Sequence, residues 1–376
     1  MSFLSAGERA AVTGKARVFR GRLLAPDDYL HLLKCGTVGE VIMYLGRTPS
    51  YSSYFHGEYS QDIHRGEIEG ILSIVPMLEE LPFCRYLGPE RASLLHAWGE
   101  RFDLEVVKRV LRIIATGMGD REALRRRVSS VPITLADAKK LLAAQTFRDV
   151  IEAIKGYPLE NVLTEPLRQA SETYSGGSVN LFRAKMAMDA FFMTRILSAG
   201  EKLPGSEGKG IRSIFGTRAD LINLYWIYRG RRFFAMTPEE ALAITLPVRY
   251  TLNFDTLRSF AFAPDIPAML RLIQECPYGA AFTTALGEST LEVSEIILEH
   301  NLYRILWRAA TKIFASGTSG VHVVLAYLIL RELEVKDLFT IIEDIRYDYD
   351  KKRAREFLIH PGANAFTAGD RGMSWQ

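Results

Sequence analysis

Two stretches of the sequence contain the residue types that phosphate or metal chemistry needs. Gly205-Ser-Glu-Gly-Lys-Gly210 is rich in glycine and contains a lysine. It lacks the GxxxxGK[ST] spacing with which backbone amides cradle phosphates, so we interpret it as a flexible loop between helices. His56, Glu58, Asp62 and His64 are the densest group of potential metal ligands. Their two histidines lack the i, i+4 spacing that would point both rings at one metal ion.

Nucleophilic and cysteine chemistry have no recognisable motif in this sequence. No serine or cysteine lies in a nucleophile context such as GxSxG. Cys35, Cys84 and Cys276 are odd in number and far apart, without CxxC spacing, which argues against disulfides and against a structural zinc site. We therefore predict a protein that is not an enzyme, with no catalytic residue, no cofactor and no metal ligand.

Composition narrows the possible partners and the compartment. The chain has 376 residues, of which 48% are hydrophobic, and 47 basic against 44 acidic residues give a net charge of only +3. This balance is unusual for a protein that binds nucleic acid phosphates. The longest apolar runs, such as Val323–Leu330, are far shorter than the roughly 20 residues that span a bilayer. We expect a cytoplasmic protein without a membrane span and without a nucleic acid partner.

A ten-residue pattern occurs three times, at intervals of 117 residues. Each copy begins with Asp-Leu and ends with Arg: Asp103 to Arg112, Asp220 to Arg229 and Asp337 to Arg346. In each copy, the Leu and the apolar residues three and seven positions after it predict one face of an amphipathic helix. We expect the three aspartates to cap the N-termini of these helices, which is a structural role.

The three arginines are equivalent positions toward the ends of the repeated helices. Each lies about half a revolution from its aspartate, given about 3.6 residues per turn, so the two are not partners. Three homologous domains can close about a pseudo-threefold axis, which would place Arg112, Arg229 and Arg346 around one mouth as a candidate partner interface. The alternative is that each arginine is solvated and only stabilises the negative C-terminal end of its own helix dipole.

Other helix signals recur around this pattern. Helix starts are predicted at Thr37, Thr146 and Asp265, with earlier starts twelve residues before each, at Ala25, Thr134 and Asn253. Longer apolar-periodic segments predict helices at 63–81, 180–198 and 291–314. We predict an all-α chain of three homologous tandem domains, 1–128, 129–234 and 235–376, the last with a C-terminal extension. Linkers are expected near 118–127 and 230–236.

Five segments of the chain together resemble the C subunit of A/V-type rotary ATPases, a family whose eukaryotic member is the d subunit. The segments are Ala16–Leu24, Asp28–Leu33, Thr37–Tyr51, Arg218–Arg229 and Tyr327–Arg346, and the resemblance runs from about residue 14 to about 348. The family typically has lysine where Arg331 stands, and the tail from Arg353 matches no family segment.

The resemblance implies a non-catalytic central-stalk component of a V-type ATPase. Such a component is a pseudo-threefold funnel that holds the rotor axle and sits on the membrane proteolipid ring. It transmits torque for proton or sodium transport coupled to ATP hydrolysis or synthesis, and it is peripheral at the membrane. The alternative is an all-helical cytoplasmic adaptor or scaffold unrelated to a rotary ATPase.

Overall fold

The computed structural model of the chain describes residues 3–55, 65–131, 133–172, 181–283, 295–347, 355 and 357–361. All regular elements in these ranges are α-helices, which confirms the all-α prediction. In chain order they are α1 (Phe3–Arg20), α2 (Pro26–Leu32), α3 (Val38–Arg47), α4 (Arg65–Leu78), α5 (Leu81–Cys84), α6 (Pro89–Thr116), α7 (Arg121–Ser130), α8 (Ala138–Ala143), α9 (Phe147–Ile154), α10 (Glu160–Glu172), α11 (Phe182–Glu201), α12 (Gly205–Phe233), α13 (Pro238–Ala243), α14 (Phe254–Ala261), α15 (Ile266–Gln274), α16 (Gly279–Thr283), α17 (Glu295–Ala315) and α18 (Val321–Tyr347).

The described residues fall into two compact units. Unit 1 takes its residues from Met1–Pro76 and Phe262–Gln376, and unit 2 from Met77–Ala261. Unit 1 therefore combines the start and the end of the chain, because α18 packs against α1 and α3 as well as α17. The division into three homologous domains, and their arrangement as a funnel, stay predictions.

Three of the predicted helix starts follow directly from side-chain capping. The side-chain oxygens of Thr37, Thr146 and Asp265 each accept a hydrogen bond from the backbone N–H three residues later. Each bond satisfies one of the donors that a helix N-terminus leaves free. The sequence therefore predicted the starts of α3, α9 and α15 correctly.

The earlier starts are correct in two cases of three. Ala25 is the N-cap of α2, and the Asn253 side chain accepts from the backbone N–H of Thr256 in the first turn of α14. Thr134 is not a cap, because α8 begins at Ala138 and Asp137 caps it. The Thr134 hydroxyl is instead bonded to Asp103 of α6.

The repeated pattern lies inside the three helices α6, α12 and α18. These helices begin at Pro89, Gly205 and Val321, roughly four turns before the aspartates. The prediction that Asp103, Asp220 and Asp337 cap their own helices was therefore wrong. The residues before each aspartate also form a buried helical face, so the helix does not start at the acid.

Glycines that we interpreted as loop residues open α12. Gly205 has a φ of 62°, and the helix starts there. A Cβ on Gly208 would lie 2.5 Å from the carbonyl oxygen of Leu203. Glycine at this position therefore lets the first turn of α12 pack closely against the backbone of Leu203. The linkers predicted near 118–127 and 230–236 are shorter in the structure. Helix α7 covers 121–130, and α12 continues to Phe233.

The helices with the repeated aspartates each pack against short helices. In unit 2, α6 contacts α8 and α9, and α12 contacts α13 and α14. The long helix α11 packs against both α6 and α12. In the part of the chain that the structure describes, every helix is too short or too polar to cross a lipid bilayer.

Candidate functional site

Asp103 holds the segment that leads into α8. It is 3% exposed, and its Oδ2 accepts from the backbone N–H of Thr134 (2.7 Å), the Thr134 hydroxyl (2.8 Å) and the N–H of Leu135 (3.1 Å). Burial raises the pKa of Asp103, and these hydrogen bonds to the ionised form oppose the shift. The carboxylate thus satisfies backbone donors that are distant in sequence.

Asp220 makes the same kind of contact with the segment that leads into α14. It is fully buried, and its carboxylate accepts from the N–H groups of Tyr250 (3.0 Å), Thr251 (2.6 Å) and Leu252 (3.0 Å). One turn later, Asn223 accepts from the N–H of Leu246 at 2.6 Å and donates to Val248 O at 3.2 Å. Two side chains of α12 therefore fix the backbone between α13 and α14.

Asp337 contacts the C-terminal segment. It is 1% exposed and accepts from the N–H groups of Ile359 (2.6 Å) and His360 (3.0 Å). Arg304 of α17 donates to the carbonyl oxygen of Leu358 at 2.8 and 3.1 Å. Burial raises the pKa of Asp337 to about 7, against the effect of these bonds. The His360 ring stacks on Tyr29, with centroids 4.9 Å apart.

Glu334, one turn before Asp337, holds the segment that leads into α2. Its carboxylate accepts from the N–H of Leu24 at 2.6 Å and from the Tyr51 hydroxyl at 2.9 Å. Arg331 donates to Glu334 and to Ser50 O (2.8 Å), and both charged side chains are buried. Burial raises the pKa of Glu334, while the guanidinium of Arg331 opposes that shift. Arginine suits this position because its fork serves two acceptors at once.

We call these contacts the acidic junctions: Asp103 with 134–135, Asp220 with 250–252, and Glu334 with Leu24. In each junction, a buried carboxylate of a long helix (α6, α12 or α18) accepts hydrogen bonds from backbone N–H groups. These N–H groups belong to the segment that precedes a pair of short helices: α8 and α9, α14 and α15, or α2 and α3. Buried donors left without acceptors cost about 1–3 kcal/mol each. The residues at the junctions therefore maintain the fold.

The candidate interface arginines lie at or near the surface. Arg112 is exposed, and Arg229 is half-buried, with its guanidinium 5.3 Å from the Tyr225 ring and 5.8 Å from the Phe234 ring. Burial lowers the pKa of Lys185 on α11, and the positive charges of Arg112 and Arg229 add to this effect. Arg112 and Arg229 are thus near enough to Lys185 to act on its charge, as Lys108 and Glu105 also do, and we call Arg112, Lys185 and Arg229 the basic surface of unit 2.

Aromatic side chains accompany these cations. Phe233 and Phe234, at the end of α12, are each 49% exposed, and the Phe234 ring lies 5.8 Å from the Arg229 guanidinium. In unit 1, exposed Arg346 lies 5.5 Å from the ring of Tyr347, which is 54% exposed. Arginine and aromatic residues are two of the residue types that are enriched in the cores of protein interfaces, and both places combine them.

Comparison with known proteins decides the family. The family model described as ATP synthase (C/AC39) subunit matches residues 12–357, which is most of the chain. The chain belongs to the C/AC39 family. It is thus a structural component of a rotary ATPase and not the catalytic one, as the sequence analysis predicted. Membership in this family favours the rotary ATPase interpretation over an unrelated helical adaptor.

Several archaeal proteins named as the C subunit of an A-type ATP synthase are similar to this C/AC39 chain. The protein of Methanocaldococcus jannaschii is 23% identical over 93% of this chain and 86% of its own length. The protein of Methanothermobacter thermautotrophicus is 24% identical over 88% of this chain and 82% of its own length. The alignment with the protein of Methanosphaera stadtmanae, 23% identical, covers 64% of this chain and 60% of that protein.

The sequence analysis missed the role of Glu334 and the contact of the C-terminal segment with α17 and α18. An acid such as Glu334 inside an apolar helix indicates a buried partner. Leu358 and Ile359, which lie beyond the family match at residue 357, are both buried. Their apolar character could have indicated an anchored tail. The group His56, Glu58, Asp62 and His64 lies outside the described residues.

Proposed function

We propose that this C/AC39 protein belongs to the central stalk and joins the rotor axle to the membrane proteolipid ring. It transmits torque between them, for proton or sodium transport coupled to ATP hydrolysis or synthesis. The protein is then peripheral at the cytoplasmic face of the membrane. The relatives support this role, because each is named as the C subunit of an A-type ATP synthase.

The acidic junctions are the observation that carries the proposal. A part that transmits torque must resist shear between its helices. Close-packed interiors transmit strain with little compression, and buried carboxylates hold the short-helix segments at fixed positions on α6, α12 and α18. Sliding one of these segments along its helix would leave buried N–H donors without acceptors.

The axle contact is proposed to involve Arg112, Arg229 and Arg346. The basic surface and the exposed Phe233 and Phe234 suit a partner with carboxylates around an apolar centre. Exposed ion pairs contribute only about 0–1 kcal/mol each, so affinity depends on several of them together with the aromatic contacts.

Affinity purification of the tagged chain from its native membranes tests the proposal. Co-elution of the axle and proteolipid components, in constant proportion to the chain, is the expected result. Elution of the chain with unrelated proteins and without either rotor component would contradict it. An untagged strain processed in parallel controls for nonspecific binding of the abundant proteolipid.

A further inference from the structure

Three potential metal ligands that are separated in sequence come together in unit 2. One carboxylate oxygen of Glu80, the Sγ of Cys84 and one ring nitrogen of His96 all lie within 4.8 Å of one another. Glu80 and Cys84 are four residues apart on one helical turn at α5, so they point to the same side. His96 comes from the neighbouring helix α6. The two helices therefore present one oxygen, one sulfur and one nitrogen to the same space.

The burial of the Glu80 carboxylate is not explained by a helix-capping bond. Glu80 is 5% exposed, and although it is the N-cap residue of α5, its side chain makes no capping hydrogen bond. Among the residues that the structure describes, none forms a hydrogen bond or ion pair with its carboxylate. Buried carboxylates without such partners are costly and therefore rare.

The backbone of α6 leaves room for this carboxylate. A Cβ on Gly99 would lie 2.8 Å from Oε2 of Glu80, so any larger residue would displace the carboxylate. The carboxylate of Glu80 is therefore held at a buried position beside α6, where a bound cation would offset the cost of burying its charge.

We propose that Glu80, Cys84 and His96 bind a divalent transition-metal ion, with Zn²⁺ as the ion that fits best. Thiolate, imidazole and carboxylate are the ligands that Zn²⁺ takes in proteins, and three of them leave the fourth tetrahedral position to water. Binding releases two protons to solvent, one from the Cys84 thiol and one from the buried Glu80 carboxyl. Because His96 is exposed and Cys84 is half-buried, the ion has a path from solvent to the buried Glu80. The ion would fasten α5 to α6.

Cobalt titration of the untagged, chelator-treated full chain tests the site. We expect one equivalent of Co²⁺ to produce a thiolate-to-metal charge-transfer band and the intense visible bands of four-coordinate cobalt. Added Zn²⁺ should displace the cobalt and remove both sets of bands. The variants Cys84→Ser and His96→Ala should each bind at least 10-fold more weakly, and Gly99→Ala about 10-fold more weakly, because ligand position controls affinity. Circular dichroism verifies that each variant is folded.

Matched controls separate this site from other cysteines and histidines. Cys276→Ser and the double variant His56→Ala/His64→Ala should keep the charge-transfer band and the affinity of the wild type. Absence of the band in the wild-type chain would overturn the proposal. Full binding by folded Cys84→Ser, or loss of binding only in one of the control variants, would do so equally.

Discussion

The carboxylate of Asp220 accepts a 2.6 Å hydrogen bond from the backbone N–H of Thr251, 31 residues later in the chain. Tyr250 and Leu252 donate to the same carboxylate, which is fully buried. One side chain in the middle of α12 therefore fixes three consecutive residues before α14. The position of α14 relative to α12 therefore depends on this one side chain.

Replacing Asp220 with alanine should strongly destabilise unit 2. Three backbone N–H groups lose their acceptor, and at about 1–3 kcal/mol for each buried donor we expect a loss of about 3 kcal/mol or more. Denaturant unfolding followed by circular dichroism measures the change. Glu152→Ala, which removes an exposed carboxylate on α9, is the matched control and should cost less than about 0.5 kcal/mol. Equal effects of the two substitutions would contradict a junction role for Asp220.

The Arg91–Glu207 ion pair should behave as a buried unit. The Nε of Arg91 lies 3.0 Å from both Glu207 oxygens and its Nη2 lies 2.7 Å from Oε2, and both residues are buried. Glu207→Leu alone removes the carboxylate that accepts three hydrogen bonds from a buried guanidinium, which we expect to cost about 3–5 kcal/mol. The double variant Arg91→Leu/Glu207→Leu should lie within about 1 kcal/mol of the wild type. A double-mutant cycle from denaturant unfolding measures this, and additive losses would contradict it.

How much the sequence predicts depends on whether a signal is local. The caps at Thr37, Thr146 and Asp265 were predicted because the capping oxygen and its donor lie three residues apart. Asp103 and Asp220 were assigned to helix starts because a local pattern cannot indicate donors about 30 residues away. The sequence analysis predicted a structural role for these acids, but identifying their partners required the fold.

The same reason explains what the sequence analysis missed elsewhere. Glu80 and His96 belong to different helices, and only the packing of α5 on α6 brings them together with Cys84. The Gly205 stretch was misread because glycines usually indicate loops, whereas here they permit a close start of α12. Arg112 and Arg229 were predicted as equivalent, but their shared proximity to Lys185 depends on how α11 packs.

The stability of unit 1 should depend on pH through Asp337. Its pKa is raised to about 7 in the folded protein, against about 3.9 in an unfolded chain, so the folded state holds the proton over this interval. The free energy of unfolding of the wild type should therefore fall as pH rises from about 4 to about 7, relative to Asp337→Asn. Three pKa units correspond to about 4 kcal/mol.

Comparison with the Asn variant isolates this group from its neighbours. Glu334 raises the pKa of Asp337 and Arg304 lowers it, and both are present in either protein. Burial lowers the pKa of His360 to about 4, so its contribution to stability is lost as pH falls from about 6.5 to about 4, in both proteins. Unfolding titrations at each pH give the difference. A difference that does not change between pH 4 and 7 would contradict the prediction.

Charge reversal should weaken axle binding in proportion to the number of arginines changed. Each single change of Arg112, Arg229 or Arg346 to Glu should have a small effect, whereas the triple variant should detach readily and more so at higher salt. Binding to the isolated axle across a salt series measures this. Arg168→Glu, an exposed arginine of α10 outside the basic surface, is the control. Wild-type affinity of a folded triple variant at every salt concentration would exclude these arginines from the interface.

Coupling in membranes tests most directly whether this protein transmits torque. Membranes lacking the chain should show no ATP-driven ion transport, and added purified chain should restore both transport and its sensitivity to blockade of the proteolipid ring. The Asp220→Ala variant, assayed at a temperature at which it remains folded and bound, should restore less transport for each ATP hydrolysed than the wild type. Equal ion transport per ATP with and without the chain would contradict a role between the axle and the ring.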